Sequence, residues 1–230
     1  MVIKFIRRIS KTLLGFIDLY KVDDEYVVIK SYETIRTIYT SGAEDMHMEK
    51  CVLRHLSLQD KSHHGLMRIH PLNSVLQKSR LKYDSYIALP YAPYGDLYNK
   101  LSSSEGISKS VAIYYFKQIL DAVIHLHKIG YSHLDISLEN IFLFDSFPVS
   151  DKKEIRKDLS FTETDLKFLK MRPVVSDFGM VLKYDRSGGL YKIYQKRGKA
   201  SYVCPEINEL KLFRPEKADS YSLGGWFFLH

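Results

Sequence analysis

The chain has 230 residues, of which 45% are hydrophobic and 27% charged, and its formal net charge is +7. This length predicts one large domain or two small lobes, and the composition excludes a low-complexity or largely disordered chain. No apolar run reaches the roughly 18 residues of a membrane-spanning helix, so no membrane span is predicted.

The basic residues and the two cysteines indicate the setting of the protein. The positive charges are scattered along the chain, so they indicate a solvated surface and no specific nucleic-acid site. They also interrupt the apolar start of the chain, which excludes a secretory signal peptide and leaves a basic targeting presequence as the alternative. Cys51 and Cys204 are therefore expected to be reduced thiols of an intracellular, cytoplasmic protein.

The first part of the chain, residues 1–91, predicts a strand-rich lobe. The alternating runs FIDLYKV and EYVVIKSY are separated by Asp23-Asp24 and predict a hairpin. Residues 43–57 change to helical spacing, and DSYIALPY, residues 84–91, predicts a further strand that ends before a Pro-Tyr-Gly turn.

The second part, residues 92–230, predicts a helical lobe. Apolar residues recur every three or four positions over 108–129, where Ser108 or Ser110 is expected to cap the start and Gly130 follows the end. The polar and charged stretch 145–170 predicts a surface insertion that carries a short helix after Thr162.

Immediately after this helix comes HLDISLEN, residues 133–140. An aspartate and an asparagine at this spacing suggest a loop that holds a hydroxyl at one end and a metal ion at the other. Five more segments share the chain with this loop in a fixed order: VVIK (27–30), MEKCVL (48–53), SDFG (176–179), VCPE (203–206) and KADSYSLG (217–224).

These six segments closely resemble the eukaryotic protein kinases, whose signature set contains V-A-I-K, H-R-D-L-x-x-x-N, D-F-G and A-P-E. The resemblance covers nearly the whole chain and implies an α+β, bilobal protein-kinase-like fold. It implies a serine/threonine-type enzyme that binds ATP and Mg²⁺. In such an enzyme Lys30 pairs with Glu49 and holds phosphates, Asp135 is the catalytic base, and Asn140 and Asp177 are the metal ligands.

The resemblance also implies an adenine and ribose site lined by seven residues. They are Ile17 and Val28 above the adenine, Leu89 as the gatekeeper, Tyr91 and Ala92 at the hinge, Asp96 near the ribose and Phe142 below the adenine. For Asp96 the alternative, a turn residue beside Gly95, stays open.

The phosphate loop departs from the family pattern. In ISKTLLGFI only Gly15 matches a family glycine, while Ser10 and Thr12 occupy the other two glycine positions. Glycines let backbone N–H groups approach phosphates closely, so weaker phosphate contact is expected. Few loop glycines together with the HLD triplet also resemble the FIKK group of apicomplexan kinases.

The catalytic loop departs as well. Leu134 replaces the arginine that receives an activation-loop phosphate in many kinases, which predicts activity independent of loop phosphorylation. Ser137 stands where a lysine that touches the γ-phosphate is usual, and Lys199 stands where a threonine is usual. Lys199 either compensates for the missing lysine or is an ordinary surface lysine of a basic loop.

The end of the chain is a third departure. Asp219 resembles the aspartate that anchors the catalytic-loop backbone, but its helix stops at GGWFFLH, whereas the family continues for several helices. Trp226, Phe227 and Phe228 would then be uncovered, at a cost that exceeds ordinary stability. The sequence therefore predicts an incomplete C-terminal lobe, in a fragment or in a chain whose exposed face a partner covers.

The leading interpretation is a protein kinase that transfers the ATP γ-phosphoryl group to protein Ser/Thr hydroxyls. Glu139 and Asp96 hint at a basic protein substrate. Two alternatives remain, a pseudokinase that acts as a binding or scaffold module and an inactive truncated fragment. Nucleic-acid binding has only the net charge in its favour.

Overall fold

The computed structural model describes residues 1–12, 14–33, 44–59, 63–76, 85–104, 106–146 and 162–228, and for residues 59, 75, 76 and 226–228 it describes the backbone alone. The chain divides into two compact units. The first contains Met1–Lys61 and Met67–Tyr91, and the second contains Ser62–Leu66 and Ala92–His230.

The first unit is built on an antiparallel sheet of four strands in the order β1-β2-β3-β4. Its elements are β1 (Ile3–Lys11), β2 (Gly15–Val22), β3 (Glu25–Tyr32), α1 (Met46–Gln59), α2 (Asn73–Leu76) and β4 (Ser85–Pro90). The hairpin expected around Asp23-Asp24 is confirmed, because Val22 pairs with Glu25 across these two residues. Asp23 has a positive φ of 52°, which aspartate tolerates in a tight turn.

One face of this sheet forms a hydrophobic core. Val22, Val27, Ile29, Tyr86 and Ala88 are buried together. Because successive side chains of a strand point to opposite faces, the neighbours of Val27 and Ile29 in β3 point away from this cluster. The second face of the sheet therefore carries the side chains of Val28 and Lys30.

The second unit contains five helices and four short strands in its described part. They are α3 (Leu97–Ser102), α4 (Lys109–Lys128), β5 (Tyr131–Ser132), β6 (Ile141–Asp145), α5 (Glu163–Phe168), β7 (Met171–Val175), β8 (Leu182–Lys183), α6 (Pro205–Asn208) and α7 (Pro215–Phe228). β5 pairs with β8 and β6 pairs with β7, both antiparallel. The strand-rich first unit and the helix-rich second unit confirm the expected α+β class.

The long helix α4 confirms the clearest periodic pattern of the sequence. Ser108 caps it by accepting a hydrogen bond from the Val111 N–H, and Gly130 follows its end with a φ of 83°. Its buried side chains recur at helical spacing and form the face that packs into the unit: Val111, Tyr115, Ile119, Ala122, Val123 and Leu126.

The described end of the expected surface insertion is a short helix with one buried face. Thr162 and Asp165 form a capping box at the start of α5, and Asp165 and Phe168 are buried. The Asp165 carboxylate accepts the Ser108 N–H at 2.8 Å, and the Tyr115 hydroxyl donates to the Phe168 carbonyl at 2.8 Å. The short helix expected after Thr162 is present, but Asp165 is buried within it because backbone donors satisfy its charge.

Other expectations fall partly or wholly outside the described structure. Residues 147–161 of the expected insertion lie outside the described residues, as do the side chains of Trp226, Phe227 and Phe228. Within the described ranges, none of the helices has the length and apolar character to cross a membrane.

Gly15 provides a test of the hairpin geometry. A Cβ added there would lie 2.0 Å from the Ser31 carbonyl oxygen, so the strand backbone would have to move. We expect Gly15→Ala to lower the free energy of unfolding by about 1–3 kcal/mol, measured by chemical denaturation. The control is Gly189→Ala, whose added Cβ would meet the Tyr191 ring at 3.8 Å and should change stability by less than about 0.5 kcal/mol. Equal effects of the two variants would contradict this account.

Candidate active site

A buried ion pair lies in the first unit. Lys30 Nζ lies 3.0 Å and 2.9 Å from the two carboxylate oxygens of Glu49, and the side chains are 7% and 2% exposed. The Tyr32 hydroxyl donates a further hydrogen bond to Glu49. Glu49 of α1 is therefore no solvated helix charge: its contacts with Lys30 and Tyr32 offset the cost of removing it from water.

Strand register brings four of the expected site residues to one face of the sheet. Ile17 lies opposite Lys30, and Val28 lies opposite Leu89. Opposed residues share a face, as do residues two apart in one strand, so Val28 and Lys30 complete the set. Tyr91 follows β4 and packs against Tyr26 at 5.8 Å between ring centroids.

The segment between β1 and β2 is closed by its own hydrogen bonds. The Gly15 N–H donates to Thr12 Oγ1 at 3.0 Å, and the Thr12 N–H donates to the Gly15 carbonyl at 2.9 Å. Ser10 pairs with Ile17 within the sheet. The side chain at position 12 thus occupies a backbone donor that a phosphate would need, which agrees with the expectation of weaker phosphate contact.

The remaining adenine and ribose candidates lie in the second unit. Ala92 is buried, and Phe142 of β6 forms a backbone bridge with Asp96. The Asp96 carboxylate caps α3 by accepting the Asn99 N–H at 2.8 Å and the Asn99 side-chain amide at 2.7 Å. The Asp96 carboxylate is thus engaged at the start of α3.

The loop that carries Asp135 and Asn140 leaves one buried carboxylate oxygen without a hydrogen bond from the described residues. The Asn140 side-chain amide donates to Asp135 Oδ2 at 2.7 Å and to the Asp135 carbonyl at 2.8 Å. Asp135 Oδ1 is buried and accepts no hydrogen bond from the described residues. Asp135 Oδ1 therefore has acceptor capacity that no described residue uses.

A second carboxylate, Asp219 of α7, fixes the backbone of this loop. It accepts the N–H groups of His133 and Leu134 at 2.8 Å each. Leu134 has a φ of 59°, a left-handed conformation that a leucine adopts only when its surroundings impose it. The anchoring role expected for Asp219 is confirmed.

Two more donors complete the environment of Asp219. Ser132 Oγ and His127 Nε2 each lie 2.8 Å from its Oδ2. Burial alone would raise the pKa of Asp219, but the hydrogen bond and charge of His127, the charge of His133 and the Leu134 N–H together hold it below the ordinary value.

Asp177 lies beside the same loop. It has a φ of 64° directly before the short 3₁₀ turn Phe178–Met180, and the Ser176 N–H donates to the Asn140 carbonyl at 2.9 Å. Burial raises the pKa of Asp135, and the charge of Asp177 raises it further, against the opposing effects of His133, Lys199 and Asn140. A carboxylate and an amide oxygen beside a second carboxylate are hard donors that suit Mg²⁺, which would relieve their mutual repulsion.

Lys199 joins the loop from the segment that follows it. Its Nζ lies 2.5 Å from Ser137 Oγ, 3.5 Å from Asn140 Oδ1 and 3.6 Å from Glu139 Oε2. The interpretation of Lys199 as an ordinary surface lysine is therefore wrong.

Leu134 is buried at the position where many kinases carry an arginine. Its side chain is 3% exposed and belongs to an apolar cluster that spans the loop, the following segment and α7. The other buried members of this cluster are Ile193, Cys204, Ile207, Phe213 and Ala218. Apolar packing thus joins the catalytic loop to the segment after it.

Residues 19–229 match the model of the protein kinase domain. The chain belongs to the protein kinase family. It is 30% identical over 96% of its length to the serine/threonine-protein kinase chk-2 of Caenorhabditis elegans, and 25% identical over 91% to the serine/threonine-protein kinase CHK1 of Saccharomyces cerevisiae. It is 28% identical over 89% to the CBL-interacting protein kinase 30 of Oryza sativa subsp. japonica. The chain spans 40%, 34% and 36% of the lengths of these relatives, respectively.

Sequence reasoning missed three supporting residues of this kinase domain. Tyr32 holds Glu49, while Ser132 and His127 hold Asp219. The hydrogen bonds to Asp219 bridge 87 and 92 positions of the chain, so no local pattern could indicate them.

The anchor of the catalytic loop yields a stability prediction. Asp219→Asn would turn one acceptor oxygen into a donor that faces backbone N–H groups. We expect the free energy of unfolding to fall by about 2–4 kcal/mol in urea denaturation at neutral pH. Asp121→Asn, an exposed change on α4, is the control and should stay within about 0.5 kcal/mol.

The same pair of variants predicts a pH dependence. A carboxyl whose pKa is lowered on folding stabilises the native state above its unfolded pKa, and this contribution is lost as the pH falls through the folded value. The stability difference between the parent chain and Asp219→Asn should therefore narrow below about pH 4. A difference that stays constant down to pH 2 would contradict the lowered pKa of Asp219.

Proposed function

We propose that the chain is the catalytic domain of a protein kinase that transfers the γ-phosphoryl group of ATP to serine or threonine hydroxyls of proteins. The observation that carries this proposal is the buried Asp135, with one oxygen bound by Asn140 and the other without a hydrogen bond among the described residues. Two of the relatives named above are serine/threonine-protein kinases, which supports the choice of acceptor.

Asp135 is the general base in this proposal. Asn140 fixes Oδ2, so the substrate hydroxyl approaches Oδ1 and passes its proton there during transfer. The burial that raises the pKa of Asp135 strengthens it as a proton acceptor.

Lys30 is the phosphate-binding cation. Its pairing with Glu49 and the contact of Glu49 with Tyr32 fix the ammonium in one position, and a fixed point charge is what phosphate binding requires. Ile17, Val28 and Leu89 share its sheet face and provide apolar surface for the adenine. The adenine roles of Tyr91, Ala92 and Phe142 and the ribose role of Asp96 stay predictions from the family resemblance.

Asn140 and Asp177 would hold Mg²⁺. When bound, the ion neutralises the oxygens of the phosphates. Glu139 and Asp96 were offered as a hint of a basic substrate, but Glu139 pairs with Lys199 and Asp96 caps α3. The proposal therefore specifies a protein substrate, and a basic sequence preference stays a prediction.

The first test compares nucleotide binding with transfer. We expect Mg-ATP to raise the thermal transition of the chain, and Asp177→Asn to lose most of that shift because a metal ligand is gone. Asp135→Asn should keep the shift but lower the rate of phosphate transfer to a serine/threonine peptide library by about 10²–10⁴-fold. Asp121→Asn is again the exposed control.

The same experiment decides between the kinase and its alternatives. A nucleotide-dependent shift without transfer would favour the pseudokinase, in which the fold is kept as a binding module. A cooperative transition that ignores Mg-ATP would contradict both the proposed metal ligands and the proposed phosphate contact.

The apolar cluster around Leu134 predicts how the activity responds to phosphorylation. No guanidinium is present at position 134 to receive a phosphate, and the following segment is packed through Ile193 and Phe213 instead. We expect treatment with a protein phosphatase to change kcat by less than about twofold. Loss of activity on dephosphorylation, with recovery on rephosphorylation, would contradict this prediction.

A further inference from the structure

The side chain of Lys199 reaches into the loop that carries the proposed base. Its ammonium contacts Ser137 Oγ at 2.5 Å and Asn140 Oδ1 at 3.5 Å. Asn140 is also the residue that fixes Asp135. One residue thus separates the ammonium of Lys199 from the carboxylate that would accept the substrate proton.

The backbone brings Lys199 to this place. Gly198 has a φ of 83°, and a Cβ added there would lie 2.8 Å from the Leu134 carbonyl oxygen and 3.8 Å from Asp135 Oδ1. The Lys199 carbonyl in turn accepts the N–H groups of Tyr202 and Val203 at 2.9 Å and 3.0 Å. The position of Lys199 is therefore set by main-chain packing on both sides and not by a flexible surface loop.

The hydrogen bonds of the ammonium are made to neutral groups. A lysine ammonium has three N–H donors, and its hydrogen-bond acceptors among the described residues, Ser137 Oγ and Asn140 Oδ1, are both neutral. The Glu139 carboxylate lies 3.6 Å away, at ion-pair distance but beyond a strong hydrogen bond. The Lys199 side chain is 37% exposed, so an anion can approach it.

Other basic residues of the same segment are directed elsewhere. Arg197 donates to the carbonyls of Met180 and Val181, and Arg186 donates to the Lys128 carbonyl. Lys192 and Lys196 are exposed. The hydrogen bonds of Lys199 go instead to side chains of the catalytic loop.

We propose that Lys199 is a catalytic residue whose ammonium contacts the transferring phosphoryl group, with Ser137 and Asn140 positioning it. This inference rests on the proposed kinase activity. A hydroxyl that gives its proton to Asp135 must lie in line with the phosphorus it attacks, so the phosphoryl group passes close to Asp135, and hence close to Asn140 and the Lys199 ammonium.

The transfer step balances without a change at Lys199. The substrate oxygen forms a bond to the γ-phosphorus while the bond from that phosphorus to the bridging oxygen breaks, and ADP leaves with the electron pair. The hydroxyl proton goes to Asp135. Lys199 keeps its protons throughout and stabilises the negative charge of the equatorial phosphoryl oxygens.

The competing explanation is a structural latch, in which Lys199 only ties its segment to the catalytic loop. Steady-state kinetics and thermal unfolding of the full chain separate the two. Lys199→Met should lower kcat by about 10²–10³-fold, the usual effect of removing one transition-state donor, and change KM for ATP by less than about threefold. Lys196→Met, an exposed lysine three residues earlier, is the matched control and should match the parent.

Two further variants keep the charge. Lys199→Arg should retain more activity than Lys199→Met. The double change Ser137→Lys with Lys199→Ser exchanges two side chains that touch, and it should recover at least about tenfold of the lost kcat because a cation again faces the phosphoryl group.

The experiment distinguishes failure of the proposed Lys199 role from failure of the proposed kinase activity. Transfer by the parent with equal kcat in Lys199→Met overturns the role of Lys199 and leaves the kinase proposal intact. A loss of kcat that follows a loss of thermal stability, with no recovery in the exchanged variant, indicates the latch. Should Lys199→Met fail to fold, a folded but inactive exchanged variant overturns the proposal. Absence of transfer by the parent overturns both.

Discussion

The second unit depends on one buried carboxylate. Asp219 accepts hydrogen bonds from two consecutive backbone N–H groups of the catalytic loop, from Ser132 and from His127. An anion removed from water is tolerated only where donors surround it, and these donors lie far away in the sequence. The Asp219 carboxylate therefore joins α4, the loop and α7. It also holds Leu134, the residue directly before Asp135, in a left-handed conformation.

The loop that Asp219 fixes also carries a chain of polar and charged contacts around Asp135. Asn140 binds one oxygen of Asp135, Lys199 approaches Asn140, and Glu139 faces Lys199. In the first unit Lys30 and Glu49 form a separate closed pair. Each unit thus carries one cation of the proposed chemistry, held by neighbours of opposite charge or by polar side chains.

Sequence patterns predicted those elements whose stabilising contacts lie close together in the chain. The hairpin around Asp23-Asp24 and the helix over 108–129 were found from alternation, helical spacing and caps, because their stabilising contacts lie close in sequence. The order of short motifs singled out Lys30 and Glu49, which form an ion pair, and Asp135 and Asn140, which share a hydrogen bond. Burial of Asp165 was not predictable, since its donor Ser108 lies 57 positions away and a charged stretch reads as solvent-exposed until that donor is known.

The two departures of the catalytic loop act on the same following segment. Leu134 packs that segment through apolar side chains, and Ser137 meets it through Lys199. Neither contact requires a phosphate: the first excludes water and the second brings its own positive charge. The sequence alone could not choose between two roles for Lys199, because the choice depends on a contact across 62 positions. Folding alone therefore places the Lys199 ammonium beside the catalytic loop. The segment that carries Lys199 is held by contacts within the chain and does not need the added charge of a phosphate.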